Sequence, residues 1–247
     1  MIESEIKNIY KNSNLNIIKR FIYFLFYILL SLNILSCQNN INKSTIKTNT
    51  LIIDKDITKS TEEESKEINY KVINTYPHDK NAFTQGLVVE GNYFYESTGF
   101  FDKSSVRKVE ISTGNVVKEV KLDKNDFGEG LTIYKNTLIQ LTWLSNKVFI
   151  YDKDTLEKIK EIPLKIIGWG LTFDSKNLIA SDGSSKLYFF NPDTFELLKE
   201  ITVRDKDKEI KNINELEFIE GEIYANIFKT NLIAKINPET GIIKEYI

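Results

Sequence analysis

The chain has 247 residues, 41% hydrophobic and 28% charged, which is enough to bury one sizeable core. Its net charge of −2 argues against a nucleic-acid-binding surface. The single cysteine and single histidine exclude a disulfide framework and a zinc site built from Cys and His. A structural calcium held by carboxylates stays open, although no EF-hand spacing supports it.

The first 37 residues are typical of an export signal. Residues 1–20 are basic, and the apolar run Phe21–Leu35 follows them. This run is shorter than the roughly 20 residues that a membrane span needs. The end of this run and the residues after it, Ile34-Leu35-Ser36-Cys37, resemble a bacterial lipobox, so Cys37 is the predicted lipidation site. An uncleaved anchor and a chance free thiol are the alternatives. The basic residues are Lys7, Lys11, Lys19 and Arg20.

The next segment, residues 38–69, predicts a flexible linker. It is rich in Asn, Lys, Thr, Ser and Glu and has no aromatic residue, so it lacks the apolar surface that a core needs. Residues 70–247 are then the folded domain. We expect this domain to lie outside the cytoplasm, in the bacterial cell envelope, tethered to a membrane through a lipid or an amino-terminal anchor.

Four repeats begin after Ala82. Their aligned leucines, Leu87, Leu131, Leu171 and Leu216, are spaced by 44, 40 and 45 residues. Each repeat predicts four strands rich in β-branched and aromatic residues, with a Thr-containing turn before the fourth. Four strands at a period near 40 residues predict an all-β fold, a β-propeller. The rival fold, a β-sandwich, does not explain the repeated turns. The turn threonines are Thr113, Thr155, Thr194 and Thr240.

A propeller brings residues from every blade together at one mouth of its central channel. The first strand of each blade is innermost and the second is antiparallel to it, so the start of one meets the end of the other. Gln85, Glu129, Trp169 and Glu215 (with Asn214 beside it) differ between otherwise similar repeats, which indicates a site on a symmetric frame. The segments at this mouth are Phe83–Gln85 with Glu96–Thr98, Phe127–Glu129 with Thr142–Trp143, Gly168–Trp169 with Ser181–Asp182, and Asn214–Glu215 with Asn226–Phe228.

Several motifs resemble one family over about residues 70–247. They include "PHDKNAFTQGL", "STGFFDKSSVRKV", "FGEGLT", "QLTW", "GWGLT", "SDGS", "NELE" and "INPETG". These resemble the plant- and bacterial-type glutaminyl-peptide cyclotransferases, the glutamine cyclotransferase family. The resemblance implies a five-bladed propeller that converts the amino-terminal glutamine of peptides into pyroglutamate, without a cofactor. The implied partners are peptides or proteins with amino-terminal glutamine, and we expect a monomer.

The resemblance also implies the site residues. Glu129 is the predicted general acid/base, since one carboxyl group with a raised pKa can accept and return a proton. Its flanking glycines are expected to open room at the mouth. The implied substrate-binding residues are Phe83, Gln85, Phe127, Trp143, Trp169 and Asn214.

Simpler interpretations stand beside these roles. The two tryptophans could be core residues, and the two amides, Gln85 and Asn214, could stabilise turns. Glu96 and Glu215 could be ionised groups paired within blades. His78 is interpreted as structural and Asp182 as a turn residue.

Two departures from the family pattern bear on function. Phe228 stands where the family usually has Trp, and a fifth blade with a Gly-Lys-x-Trp motif is not matched. We therefore expect four four-stranded repeats plus an amino-terminal strand, Asn69–Pro77, whose family counterpart joins the fifth blade. The fifth blade itself is expected to be largely missing. The alternative function is a non-catalytic propeller that binds peptides or proteins at the same mouth.

Overall fold

The structure is a computed structural model that describes residues 66–67 and 70–247. The predicted export signal, including Cys37, lies outside the described residues, and so does the predicted linker apart from residues 66–67. No helix occurs in the described part, so none there could cross a membrane.

Four antiparallel four-stranded blades follow the four sequence repeats, each in simple chain order. This confirms the predicted all-β propeller. Blade one contains β2 (Thr84–Glu90), β3 (Tyr93–Thr98), β4 (Ser105–Glu110) and β5 (Val116–Lys121). Blade two contains β6 (Gly128–Tyr134), β7 (Thr137–Thr142), β8 (Lys147–Asp152) and β9 (Lys158–Pro163). Blade three contains β10 (Leu171–Phe173), β11 (Leu178–Ser181), β12 (Lys186–Phe190) and β13 (Leu197–Thr202). Blade four contains β16 (Ile213–Ile219), β17 (Glu222–Ile227), β18 (Ile233–Ile236) and β19 (Ile243–Tyr246).

The strand predicted at Asn69–Pro77 is wrong over its described part, because residues 70–77 form no strand and are exposed. A shorter strand upstream, β1 (Lys66–Glu67), instead pairs in parallel with β19 at the outer edge of blade four. The sequence also gave no indication of the small hairpin β14 (Arg204–Asp205) and β15 (Lys208–Glu209). These strands are two residues long and mostly charged, so they carry no apolar alternation.

A threonine-containing turn with the same hydrogen bond precedes the outermost strand of every blade. In all four, the threonine hydroxyl accepts a hydrogen bond from the backbone N–H two residues later, which fixes the turn into the outermost strand. The N–H groups belong to Asn115, Glu157, Glu196 and Ile242, at 3.2, 3.2, 3.4 and 3.3 Å.

Three apolar clusters form the core, and each fills the space between two consecutive blades. Tyr95 and Phe149 belong to the cluster between blades one and two. Leu141 and Phe190 belong to the next, and Phe189 packs in the cluster between blades three and four. Among the described residues, no such cluster joins blade four to blade one.

The innermost strands approach one another closely near the mouth. A Cβ atom on Gly86 would lie 2.4 Å from the Leu131 nitrogen, and one on Gly170 would lie 2.1 Å from the Asn214 oxygen. Real Cβ atoms do not tolerate such distances, so only glycine lets the inner strands pack this way. The fourth repeat differs, because Glu215 occupies the equivalent position.

Candidate functional site

The mouth is built as the repeats predicted. The residue before each inner strand is hydrogen-bonded to the chain that leaves the second strand of the same blade. The donors are the N–H groups of Gly99, Trp143 and Phe228, and the acceptors are the carbonyls of Phe83, Phe127 and Asn212, at 2.8, 3.0 and 2.8 Å. In blade three, the Trp169 N–H donates to the Ser181 carbonyl at 2.9 Å. Backbone pairing therefore joins the two predicted segments within each of the four blades.

Glu129 lies near the start of β6 and is only 7% exposed. Its side chain accepts no hydrogen bond from any described residue. Burial without such donors removes water from the charged form and raises the pKa of the Glu129 carboxyl well above its usual range. The carboxyl group is thus favoured in its neutral form.

The glycines beside Glu129 do not open empty space, contrary to our expectation. A Cβ atom on Gly128 would lie 2.7 Å from both Gln140 Nε2 and the Thr98 carbonyl oxygen. One on Gly130 would lie 2.4 Å from the Leu171 nitrogen. Neighbouring atoms fill these positions because the strand is packed between blades one and three, which holds Glu129 in place.

Three of the predicted substrate-binding residues meet in one aromatic cluster. Phe127 lies edge-on to Phe83 and Trp143, with ring centroids 6.3 and 5.6 Å apart. Gly99 makes room for it, since a Cβ there would lie 2.4 Å from the Phe127 ring. Phe127 precedes Glu129 by two residues, so the aromatic cluster adjoins the start of the strand that carries Glu129.

Trp169 lies outside this aromatic cluster and packs against residues of blades three and four. Its ring packs on Gly183, where a Cβ atom would lie 2.6 Å from the indole, and it meets Phe228 edge-on at 5.5 Å. Its carbonyl accepts a 2.6 Å hydrogen bond from the N–H of Gly130, next to Glu129. Phe228, the departure from the family pattern, thus contacts a predicted site residue.

Gln85 and Asn214 line a cavity of about 320 Å³ between blades one and four. Neither side-chain amide is hydrogen-bonded to another described residue, so these amides do not stabilise turns. They remain available to bind a polar ligand. The cavity is also lined by Thr84, Glu215, Asn226, Phe228, Lys229 and Thr230.

Glu215 is not ion-paired within its blade, which corrects one of the simpler interpretations. Its Oε1 accepts a 3.4 Å hydrogen bond from the Leu87 N–H in blade one, while Oε2 is shielded from solvent and has no partner among the described residues. Burial is the main cause that raises the pKa of Glu215, and repulsion from Glu217 and Glu129 adds to it. Sequence reasoning missed this contact because its partners are far apart in the chain.

Glu96, by contrast, is a paired carboxylate, as the simpler interpretation held. It is 1% exposed, and His78 Nε2 lies 2.9 Å from its Oε1. The Thr84 hydroxyl donates to the same oxygen, and Arg107 Nη1 lies 4.0 Å from Oε2. His78 therefore has a structural partner.

Asp182 is a turn residue. Its Oδ1 accepts a 2.9 Å hydrogen bond from the Ser184 N–H, and its Oδ2 accepts one from the Tyr188 hydroxyl at 2.9 Å. Gly183 beside it has φ +79, which suits glycine. Within residues 66–67 and 70–247, no three His, Cys, Asp or Glu side chains gather closely enough to hold a metal ion.

Known proteins share this arrangement. The family model described as glutamine cyclotransferase matches residues 45–247. A glutaminyl-peptide cyclotransferase from Arabidopsis thaliana is 43% identical over 173 residues, which are 69% of this chain and 54% of that protein. The chain thus spans about half the length of this curated relative.

Solved structures agree with the fold. The crystal structure of Myxococcus xanthus glutaminyl cyclase matches with a TM-score of 0.69 and 34% identity, over 75% of this chain and 78% of that one. A protein of unknown function from Bacteroides caccae matches with a TM-score of 0.50 and 10% identity over 66% of each chain, which reflects the fold alone.

Proposed function

This chain belongs to the glutamine cyclotransferase family, and we propose that it converts the amino-terminal glutamine of peptides into pyroglutamate and releases ammonia. That activity places it among the aminoacyltransferases. The observation that supports the proposal most is Glu129, a carboxyl group without hydrogen-bond donors, held at a mouth that also presents two unpaired amides. The substrate class is taken from the family and fits these groups.

The reaction needs little more than orientation and proton transfer. The α-amine of the substrate attacks its own side-chain amide carbon, a C–N bond forms, and the bond to the amide nitrogen breaks to release ammonia. Because the nucleophile is tethered to the carbonyl, holding the two together supplies much of the rate. In balance, one proton moves from the attacking nitrogen to the departing nitrogen.

Glu129 is suited to that proton transfer. Starting neutral, its carboxyl group donates a proton to the departing nitrogen, and the resulting carboxylate takes the proton from the attacking nitrogen. The raised pKa of Glu129 brings the group closer to the pKa of the α-amine, near 8 in peptides, so both transfers are less costly. The group returns to its starting state after each turnover.

The other mouth residues have binding roles in this proposal. Gln85 and Asn214 carry amides that can donate hydrogen bonds to the substrate carbonyl and its developing negative charge. Phe83, Phe127, Trp143 and Trp169 bind the aliphatic part of glutamine and exclude water from the site.

A direct assay tests the proposal. Purified full-length protein is incubated with Gln-Gly, and ammonia release is followed together with formation of the cyclic product. We expect turnover, with one ammonia released for each cyclic product formed. Binding of the peptide with no ammonia release would instead support a non-catalytic peptide-binding propeller and would overturn the proposed activity.

We further propose that the chain is exported and tethered to a membrane through Cys37. The apolar run and the cysteine that follows it support this. Cells grown with labelled fatty acid should incorporate the label into the wild-type protein and not into Cys37→Ser. Equal labelling of the two proteins, or labelling of neither, would contradict lipidation at this residue.

A further inference from the structure

Two consecutive phenylalanines beside the mouth have no role in the mechanism above. Phe100 is 48% exposed and Phe101 is 40% exposed. Phe100 stacks on Phe83 with ring centroids 4.3 Å apart. Phe101 lies 5.5 Å from Phe127 and 6.4 Å from Trp143. Together these five rings form a continuous aromatic surface at the mouth, here called the aromatic rim, and its outer rings are exposed to solvent.

The loop that carries Phe100 is held in an unfavourable conformation. Phe100 has φ +80, a left-handed conformation that bulky residues rarely adopt. Its carbonyl accepts hydrogen bonds from the N–H groups of Lys103 and Ser104, at 3.1 and 2.8 Å, and from the Ser104 hydroxyl at 2.7 Å. These three hydrogen bonds hold the loop, and with it the two phenylalanines, in one conformation.

The same loop is tied to the strand that carries Glu129. The Ser104 hydroxyl oxygen accepts a 3.1 Å hydrogen bond from the N–H of Gly128, the residue before Glu129. The position of Phe100 and Phe101 is therefore fixed relative to the carboxyl group and not only to blade one. An exposed apolar surface held in this way beside a candidate catalytic group is typical of a ligand-binding surface.

We propose that Phe100 and Phe101 form a subsite for the second residue of the substrate peptide and favour a large apolar or aromatic side chain there. This rests on the proposed function. In the proposed function the substrate glutamine lies beside Glu129, and its carbonyl continues into the second residue, which must leave through the mouth. The aromatic rim is the apolar surface next to that exit, whereas the cavity between blades one and four is lined by polar groups such as Asn226 and Lys229.

The test compares second residues in peptides that share amino-terminal glutamine. For the full-length protein, kcat/KM is measured with Gln-Phe, Gln-Gly and Gln-Glu. A contact between the Gln-Phe side chain and the aromatic rim should raise kcat/KM for Gln-Phe about five- to tenfold over that for Gln-Gly. The variants are Phe100→Gly, in which glycine accepts the positive φ, and Phe101→Ala. We expect each to lower the preference, and the double variant to bring it close to one.

Controls separate this proposal from the proposed function and from folding defects. Leu198 is exposed on the outer strand β13, and Leu198→Ala should leave the preference and both rates unchanged. The dissociation constants of Gln-Phe amide and Gln-Gly amide are also measured by calorimetry with the Glu129→Gln protein, which should not turn the peptides over. The subsite predicts tighter binding of Gln-Phe amide, and this can be measured even if the wild-type protein releases no ammonia. An unchanged preference in the double variant, or a preference for Gln-Glu, would overturn the subsite.

Discussion

Glu96 and Glu129 are two carboxyl groups in neighbouring blades of one mouth, both nearly excluded from solvent, in opposite surroundings. Glu96 accepts from Thr84, lies within hydrogen-bond distance of His78 and faces Arg107. The Glu129 carboxyl accepts no hydrogen bond from a described residue. It lies two residues after Phe127, a member of the aromatic cluster. Burial alone therefore does not decide what a carboxyl group does. Donors stabilise the negative charge, and their absence favours the neutral acid.

The largest expected effect separates the two groups by activity. Glu129→Gln should lower kcat for Gln-Gly by about a hundredfold or more, because the amide cannot exchange protons with the reacting nitrogens. Ammonia release is the measurement, and melting followed by circular dichroism controls for folding. Turnover near the wild-type rate in a folded Glu129→Gln protein would remove Glu129 from the acid/base role.

The same isosteric change at the other carboxylate should act on stability. Glu96→Gln is expected to lower the free energy of unfolding by about 1–3 kcal/mol, because it weakens hydrogen bonds to a buried charge and leaves Arg107 less well neutralised. Urea denaturation of the two variants side by side measures this. If Glu96→Gln were as stable as wild type, the pairing around Glu96 would not be the stabilising contact described here.

A smaller effect concerns the pH dependence of stability. Because burial raises the pKa of Glu129 in the folded chain, the folded state binds more protons than the unfolded state, so this group destabilises the protein as pH rises. Glu129→Gln should therefore be more stable than wild type at neutral pH. Between the usual carboxyl pKa and the raised one, the difference should grow by at most about 1.4 kcal/mol per pH unit.

The acid end of that titration provides the control. Below about pH 3, Glu129 is protonated in both the folded and unfolded states, so the difference between the two proteins should stop changing with pH. Urea unfolding at several pH values measures it. A difference that stays constant from acid to neutral pH would contradict the raised pKa.

The smallest expected effect on stability and activity comes from two adjacent serines. One is hydrogen-bonded beside Glu129 and the other on the Glu96 side. Ser104 accepts from the Gly128 N–H beside Glu129, and Ser105 accepts from Arg107 Nε at 2.9 Å on the Glu96 side. Each serine-to-alanine change should cost about 1 kcal/mol of stability. Only Ser104→Ala should also lower kcat, because Ser104 positions the strand start that carries Glu129. Equal kcat losses in both variants would indicate a general loosening of the mouth.

Much of this fold could be predicted from the sequence because the repeats are encoded locally. The aligned leucines, the threonine turns and the alternating apolar residues recur within each blade, so all sixteen strands of the four blades were predicted. The strand at Lys66–Glu67 was not, because two charged residues carry no periodic signal and their partner β19 is far along the chain. The segment 70–77 shows the reverse case, since strand-like residues alone do not make a strand without a neighbour to pair with.

The site was predictable in part. Repeat alignment brought Phe83, Phe127 and Trp143 to one place, where their rings are in contact. The bond from Glu215 to the Leu87 N–H was not predictable, because it depends on how blades one and four approach each other in space. Phe100 and Phe101 were visible in the sequence, but their exposure and their contacts with Phe83 and Phe127 exist only in the folded loop.

The central claim is that Glu129 is a neutral acid in the folded protein at a pH where an ordinary glutamate is charged. Infrared difference spectra between wild type and Glu129→Gln, recorded from pH 3 upward, measure this directly through the stretching band of the protonated carboxyl group. We expect the band attributable to Glu129 to persist well above the usual carboxyl pKa of about 4.3. Loss of that band at the usual pKa, in a protein that is still folded, would contradict it.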